Sequence, residues 1–260
     1  MKLAISNIAW GRRSDDELLA FLKDGGADAV ELAPGLLDAA VSGETATRLQ
    51  RHGLDVVGLH SLLFEVQHLR VVREAHHAEL LEYCCRLAKQ CRRLGGNFLV
   101  FGSPGSRSLD GLDHDSARPA AEMFFRALAA IGVEEHVTFL IEPLPGADLI
   151  RNHRDGIDLV EAIASAGLSL HMDTRTMTVN GDAPETVAEQ AAYLKHVHSG
   201  GADLSFASPE DGTDHAAFAA ALKAIGYDGF VTLEMVRASD APDFDRLAAS
   251  LKFAREVYCS

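Results

Sequence analysis

Short apolar runs alternate with longer helix-like stretches along the whole chain, and that alternation leaves few folds open. The predicted strands are 3–7, 28–32, 54–60, 97–102, 137–142, 168–173, 194–198 and 229–234. Most are rich in Val, Leu, Ile and Phe and apolar on both faces, as expected of parallel strands buried on two sides. The predicted helices are 14–25, 42–52, 71–94, 116–132, 154–166, 184–192, 214–226 and 241–257. Eight strands alternating with eight helices predict a closed parallel (β/α)8 TIM barrel, and 260 residues suit one such domain over 1–260. The competitor is an open doubly wound sheet. No Gly-x-Gly-x-x-Gly follows the first strand, which removes the usual phosphate-binding reason for that alternative.

The punctuation agrees with the alternation. Ser14, with Glu17 three residues on, makes a capping-box pattern for the first helix. Gly25-Gly26, Gly53, Gly95-Gly96, Gly132, Gly167 and Gly226 stand where helices are expected to end. A formal net charge of −14 argues against nonspecific binding to nucleic acid or to an anionic membrane. Cys84, Cys85, Cys91 and Cys259 form no Cys-x-x-Cys pair, so a disulfide framework or cysteine zinc site is not expected, and a reducing, cytoplasmic setting is the simpler reading. The opening run Met1–Asn7 is too short and polar for a signal peptide, and no stretch is apolar enough to span a bilayer.

Four consecutive strands end on a residue able to ligate a metal. Val137–Ile141 leads to Glu142, Leu168–Met172 to Asp173, Leu194–Val197 to His198, and Phe230–Leu233 to Glu234. A carboxylate after one strand is ordinarily a loop start or a helix cap. Four in phase describe a site, because in a barrel of this kind functional residues gather at the C-terminal ends of the strands. A buried cluster of carboxylates without a cation would also repel itself. Three carboxylates and one imidazole make a hard, oxygen-rich site that suits Mn2+ or Mg2+, with Co2+, Fe2+ or Zn2+ compatible. Strand alternation points the residues two before each ligand inward as well: Leu140, His171, His196 and Thr232. His171 and His196 then lie beneath the metal, either as hydrogen-bonding supports or as ordinary buried core histidines.

These residues resemble the sugar phosphate isomerase/epimerase superfamily, the xylose-isomerase-like TIM barrels that include tagatose-type 3-epimerases, hydroxypyruvate isomerases and inosose dehydratases. The resemblance covers essentially the whole chain. Its most specific parts are Ile141-Glu142-Pro143, His171-Met172-Asp173-Thr174, His196-Val197-His198, and Asp211–His215 through Gly226–Glu234. It implies one divalent cation held by Glu142, Asp173, His198 and Glu234, with Mn2+ foremost, and it implies Glu142 and Glu234 as the acid/base pair. In that chemistry a cation stabilises the enediolate that forms when a proton leaves the carbon beside a carbonyl. One glutamate takes the proton; the other returns it from the opposite face, or to the next carbon. The resemblance also suggests a homo-oligomer, a small carbohydrate substrate, and neither nucleic acid nor membrane as partner.

Two departures bear on the substrate. Ketose 3-epimerases usually carry a histidine three residues after the aspartate ligand, where this chain has Thr176. They often carry an arginine six residues after the histidine ligand, where it has Leu204. Arg107, Arg151 and Arg175 are replacement anchors for a carboxylate or phosphate, each also readable as a solvated loop arginine. His60 ends the third strand and is a candidate substrate contact, Trp10 a candidate wall for a sugar ring, and Glu31 either a support for the ligands or a helix-side ion pair. Phe101–Arg107 suits a loop closing over an anion, although turn chemistry also explains its glycines and serines. A metal-dependent dehydratase is the alternative function, with Lys195 or His171 as the extra acid. An apurinic-site endonuclease is disfavoured, because several metal-binding histidines are missing. A noncatalytic sugar-binding barrel has no need for a metal site with two proton-carrying carboxylates.

Overall fold

The computed structural model describes residues 1–37, 42–237 and 242–260. Eight parallel strands close into a barrel in chain order. They are β1 (Lys2–Ser6), β2 (Ala29–Leu32), β3 (Asp55–Leu59), β4 (Phe98–Phe101), β5 (Thr138–Ile141), β6 (Leu168–Asp173), β7 (Leu194–Ser199) and β8 (Phe230–Leu233). β8 closes on β1 with Lys2 opposite Phe230 and Ile5 opposite Leu233. The helices are α1 (Asp16–Asp24), α2 (Ser42–Arg51), α3 (Glu74–Leu94), α4 (His114–Glu134), α5 (His153–Ile163), α6 (Thr174–Asn180), α7 (Val187–Gln190), α8 (His215–Ala224) and α9 (Phe244–Tyr258). The predicted last helix began at 241, which lies outside the described residues.

Strand alternation divides the buried side chains between two regions. The large core lies between sheet and helices and includes Leu3, Ile5, Leu99, Phe101, Phe139, Phe124 and Leu251. Inside the barrel a separate cluster of Ala4, Ala29 and Val57 packs with Phe98 and Phe230. Above that floor the interior turns polar. The His196 ring lies 4.2 Å from that of Phe98, and His196 Nε2 is 3.0 Å from Thr232 Oγ1. The barrel interior is thus apolar at its base and carries titratable groups toward the C-terminal ends of the strands, where such barrels place chemistry.

Four local expectations are corrected. The first helix is capped by Asp15, not Ser14: Asp15 Oδ1 accepts from Leu18 N at 3.0 Å, and the Ser14 carbonyl instead accepts from Arg48. A short helix, α6, starts directly after Asp173, where none was predicted. Its seven residues are too few to show a periodic apolar face, and the predicted 184–192 helix shrinks to a 3-10 turn at Pro184–Thr186 followed by α7. Gly132 does not end α4, which runs on to Glu134. It is small for packing reasons: a Cβ there would lie 2.7 Å from the Gly167 carbonyl oxygen, and one on Gly167 would lie 2.0 Å from the Ala129 carbonyl oxygen. That glycine pair lets α4 press against the start of β6.

Candidate metal centre

Glu142 and Glu234 each sit one residue beyond a strand, still tied to the sheet. Glu142 N donates to the Phe101 carbonyl at 3.2 Å and Glu234 N to the Ser199 carbonyl at 3.0 Å. Asp173 and His198 face each other in the register of β6 and β7. The backbone therefore presents all four at one end of the barrel. His198 Nδ1 lies 3.3 Å from Glu234 Oε2 and 4.0 Å from Glu142 Oε1. These three residues form a group whose ligand atoms are close enough together to hold one ion.

The electrostatics fit a cation. Burial pushes the Glu142 carboxyl up to about 8, and the charge of Glu234 adds to it. Burial also works against ionisation of Glu234, but His198 and His60 outweigh it and hold that carboxyl well below the usual range. Burial and then Glu234 raise Asp173. Burial opposes the charge on His198, yet Glu31 and Glu234 win and hold the imidazole well above its ordinary value. Its buried Nδ1 has no hydrogen-bond partner. A divalent ion would relieve the repulsion among the carboxylates and use that lone pair, so the donor set suits a metal.

Asp173 stands slightly apart. Its Oδ1 accepts from Arg175 N at 2.8 Å as the cap of α6, and its Oδ2 lies 3.3 Å from Arg175 Nε and 3.5 Å from Thr176 Oγ1. Its charge still acts on Glu142, so it belongs to the same electrostatic cluster.

Beneath the four ligand candidates, fully buried Glu31 joins two histidines more than 160 positions away. Its Oε2 lies 2.9 Å from His196 Nε2 and 3.0 Å from His198 Nε2. Burial opposes the charge on Glu31, but His198 and His196 hold it well below the usual carboxylate range. A carboxylate on the far nitrogen of a ligand histidine fixes the ring so that the other nitrogen faces the metal. The sequence raised Glu31 as a support but could not name its partners; its inward phase between apolar neighbours was the only signal. His171 is buried as well, with its Nδ1 3.9 Å from Glu142 Oε1 and neither ring nitrogen hydrogen-bonded. Burial and the neighbouring His198 and His196 hold it neutral, well below its usual value.

The other candidate residues separate by location. His60 joins the cluster, with Nδ1 3.2 Å from Glu234 Oε1 and Nε2 2.6 Å from Ser6 Oγ. Trp10 is buried and lines a small cavity with Leu32, Leu36 and Leu49, which none of the four ligand candidates lines. Arg175 pairs with Asp173, and Arg151 is exposed at the start of α5. Arg107 is not a solvated loop residue. It is fully buried on a 3-10 turn, Pro104–Arg107, and its Nη1 donates to the carbonyls of Leu149 and Ile150 at 3.2 and 3.0 Å. Lys195 points out of β7 into solvent and lies outside the centre. Sequence reasoning also missed a buried tie behind the site: His215 binds Asp211 at 2.7 Å, and Ser199, His215 and Tyr258 bond one another at 2.9 to 3.1 Å, fastening α8 and α9 to β7. The Asp211–His215 motif was its only trace in the sequence.

Residues 19–257 match the model of the family described as xylose isomerase-like TIM barrel. No curated protein matches the chain. Among solved structures, the chain is similar to a D-psicose 3-epimerase with D-tagatose from Clostridium cellulolyticum H10, at 17% identity and a TM-score of 0.81, covering 99% of both chains. It is similar to a 3-keto-D-glucoside 4-epimerase from E. coli at 19% identity and a TM-score of 0.81, covering 98% of this chain and 99% of that one. It is also similar to the IolI protein with a bound zinc atom, at 17% identity and a TM-score of 0.79, covering 99% and 98%. At such identities the structural likenesses speak for the fold, whereas the family match spans nearly the whole sequence, and the chain belongs to the xylose isomerase-like TIM barrel family.

Proposed function

We propose that this protein is a divalent-metal-dependent isomerase or epimerase that moves a proton beside the carbonyl of a sugar or sugar derivative. The observation that carries the reading is the contrast between Glu142 and Glu234. Both flank His198 Nδ1, yet burial and Glu234 raise one carboxyl to about 8 while His198 and His60 hold the other well below the carboxylate range. Two carboxyls whose surroundings push their proton affinities apart are what an acid/base pair requires. The epimerases named among the structural neighbours act on sugars, which favours the same substrate class here.

Glu142, Asp173, His198 and Glu234 would hold the ion, with Mn2+ as the first choice for three carboxylates and one imidazole. When bound, a divalent cation supplies a Lewis acid that stabilises negative charge developing on a carbonyl oxygen. Glu234 enters ionised and takes the proton; Glu142 enters protonated and gives one. His60 holds Glu234 through Oε1, which leaves Oε2 on the His198 side. Glu31 keeps His198 turned with Nδ1 toward the carboxylates. Gly102 makes room for Glu142: a Cβ there would lie 2.2 Å from Oε2. A dehydratase would add an acid at a leaving hydroxyl. Of the two considered, Lys195 faces solvent and His171 is held neutral by burial, so neither supports that reading.

The test is turnover of ketoses, sugar acids and inososes by protein loaded with Mn2+ and by protein stripped with a chelator. Isomerised or epimerised product from the loaded protein alone is the expected result. Equal activity after stripping, or no metal binding dependent on His198, overturns the proposal.

A further inference from the structure

Arg107 is the largest fully buried side chain among the described residues, and only part of its guanidinium is used. Nη1 is engaged by the carbonyls of Leu149 and Ile150. Nε and Nη2 are buried with no hydrogen-bond partner. The free edge is the pair Nε–H and Nη2–H, whose two parallel donors match the two oxygens of a carboxylate. A buried guanidinium with two donors unmet carries a desolvation penalty that its partners do not fully offset. Burial lowers its proton affinity to about 10, and the one charge that counters this is Glu142. The guanidinium, on the turn that follows β4, is therefore within electrostatic reach of the proton-carrying carboxyl.

The backbone around it is strained. Ile150, whose carbonyl accepts from Nη1, has φ +61°, a costly conformation for a β-branched residue. Ser103, which begins the turn carrying Arg107, has φ +45°. Next to Arg107, Ser106 Oγ is also buried without a partner. A cavity of about 210 Å³ lined by Ser61, Phe64, Ser103 and Ser106 opens beside the turn, so the turn is not packed on every side.

We propose that Arg107 receives a carboxylate of the substrate, so that this protein acts on a sugar acid rather than a neutral sugar. The inference rests on the proton-transfer reading above and adds the substrate class. A carboxylate fits better than a phosphate dianion. One guanidinium edge supplies two in-plane donors, and the one charge acting on it, Glu142, is acidic, which penalises a second negative charge. Arg151 is exposed and Arg175 is already paired with Asp173, so neither competes for the role.

Three probes decide it: D-fructose, D-fructuronate, which carries a carboxylate in place of the C6 hydroxymethyl, and 2-keto-D-gluconate, which carries one in place of the C1 hydroxymethyl. Calorimetric affinities are measured on the full chain, with Mn2+ and without it. The expected result is that one of the two acids binds about 10- to 100-fold tighter than D-fructose. In Arg107→Met that advantage disappears while affinity for D-fructose holds, and Arg107→Lys restores part of it. Circular dichroism and metal content establish that each variant is folded and loaded. Equal affinity for acids and neutral sugar in the wild type, or equal loss for all three in Arg107→Met, overturns the proposal. Binding in the absence of Mn2+ reads the acid preference without proton transfer, so a failed carboxylate site and a failed catalytic reading give different results.

Discussion

The proposed chemistry is concentrated in a few buried groups whose protonation depends on one another. At pH 7 a Glu142 carboxyl raised to about 8 is mostly protonated, and His198, held well above its usual value, carries its proton too. His198 must lose its proton to serve as a ligand, while Glu142 can ligate through its unprotonated oxygen and keep the proton it gives. Mn2+ binding should therefore release protons at pH 7, and affinity should climb as pH rises toward 8. Calorimetry in two buffers of different ionisation enthalpy measures the release; heats independent of the buffer would contradict the account. Glu31 offers a second prediction at this scale. Glu31→Gln keeps the shape but removes the charge that orients His198, and metal affinity should fall about 10- to 100-fold. A titration with an unchanged dissociation constant would remove Glu31 from the site.

Elements carry these residues to one place, and here the sequence was legible to different depths. The strand runs that end at Glu142, Asp173, His198 and Glu234 were readable because each candidate ligand follows a continuous apolar stretch. The alternation also gave the inward phase of His171 and His196. α6 was not readable, since Asp173 serves at once as strand end and helix cap and the helix is a single short segment. The union of Glu31 with His196 and His198 crosses the barrel, and no local spacing encodes it. Arg107 looked like a loop residue because its acceptors are backbone carbonyls some 40 positions away, which have no side-chain signature. Gly132 has the sequence signature of a helix stop, but its smallness serves a crossing. Gly167→Ala would place a methyl group against the Ala129 carbonyl, and we predict a loss of about 1–3 kcal/mol in thermal or denaturant unfolding. An unchanged unfolding curve would mean that α4 and β6 are free to separate there.

On the scale of the whole molecule, the closed barrel collects residues from β2, β3, β5, β6, β7 and β8 around one point. Metal binding should then stabilise the entire fold by mass action, by about 2.7 kcal/mol when free metal is 100 times its dissociation constant. Differential scanning calorimetry should show Tm rising with Mn2+ concentration in the wild type but not in a His198→Ala protein. A Tm indifferent to the ion would separate metal from fold. The central claim, that Glu142 and Glu234 exchange a proton with carbon beside a carbonyl, is tested most directly by deuterium. The Mn2+-loaded protein is incubated with its best-bound sugar or sugar acid in D2O, and deuterium at the carbon next to the carbonyl is followed by NMR. The account predicts incorporation by the wild type and a rate at least about 100-fold lower in both Glu142→Gln and Glu234→Gln with metal still bound; incorporation at the wild-type rate in either metal-loaded variant would contradict it.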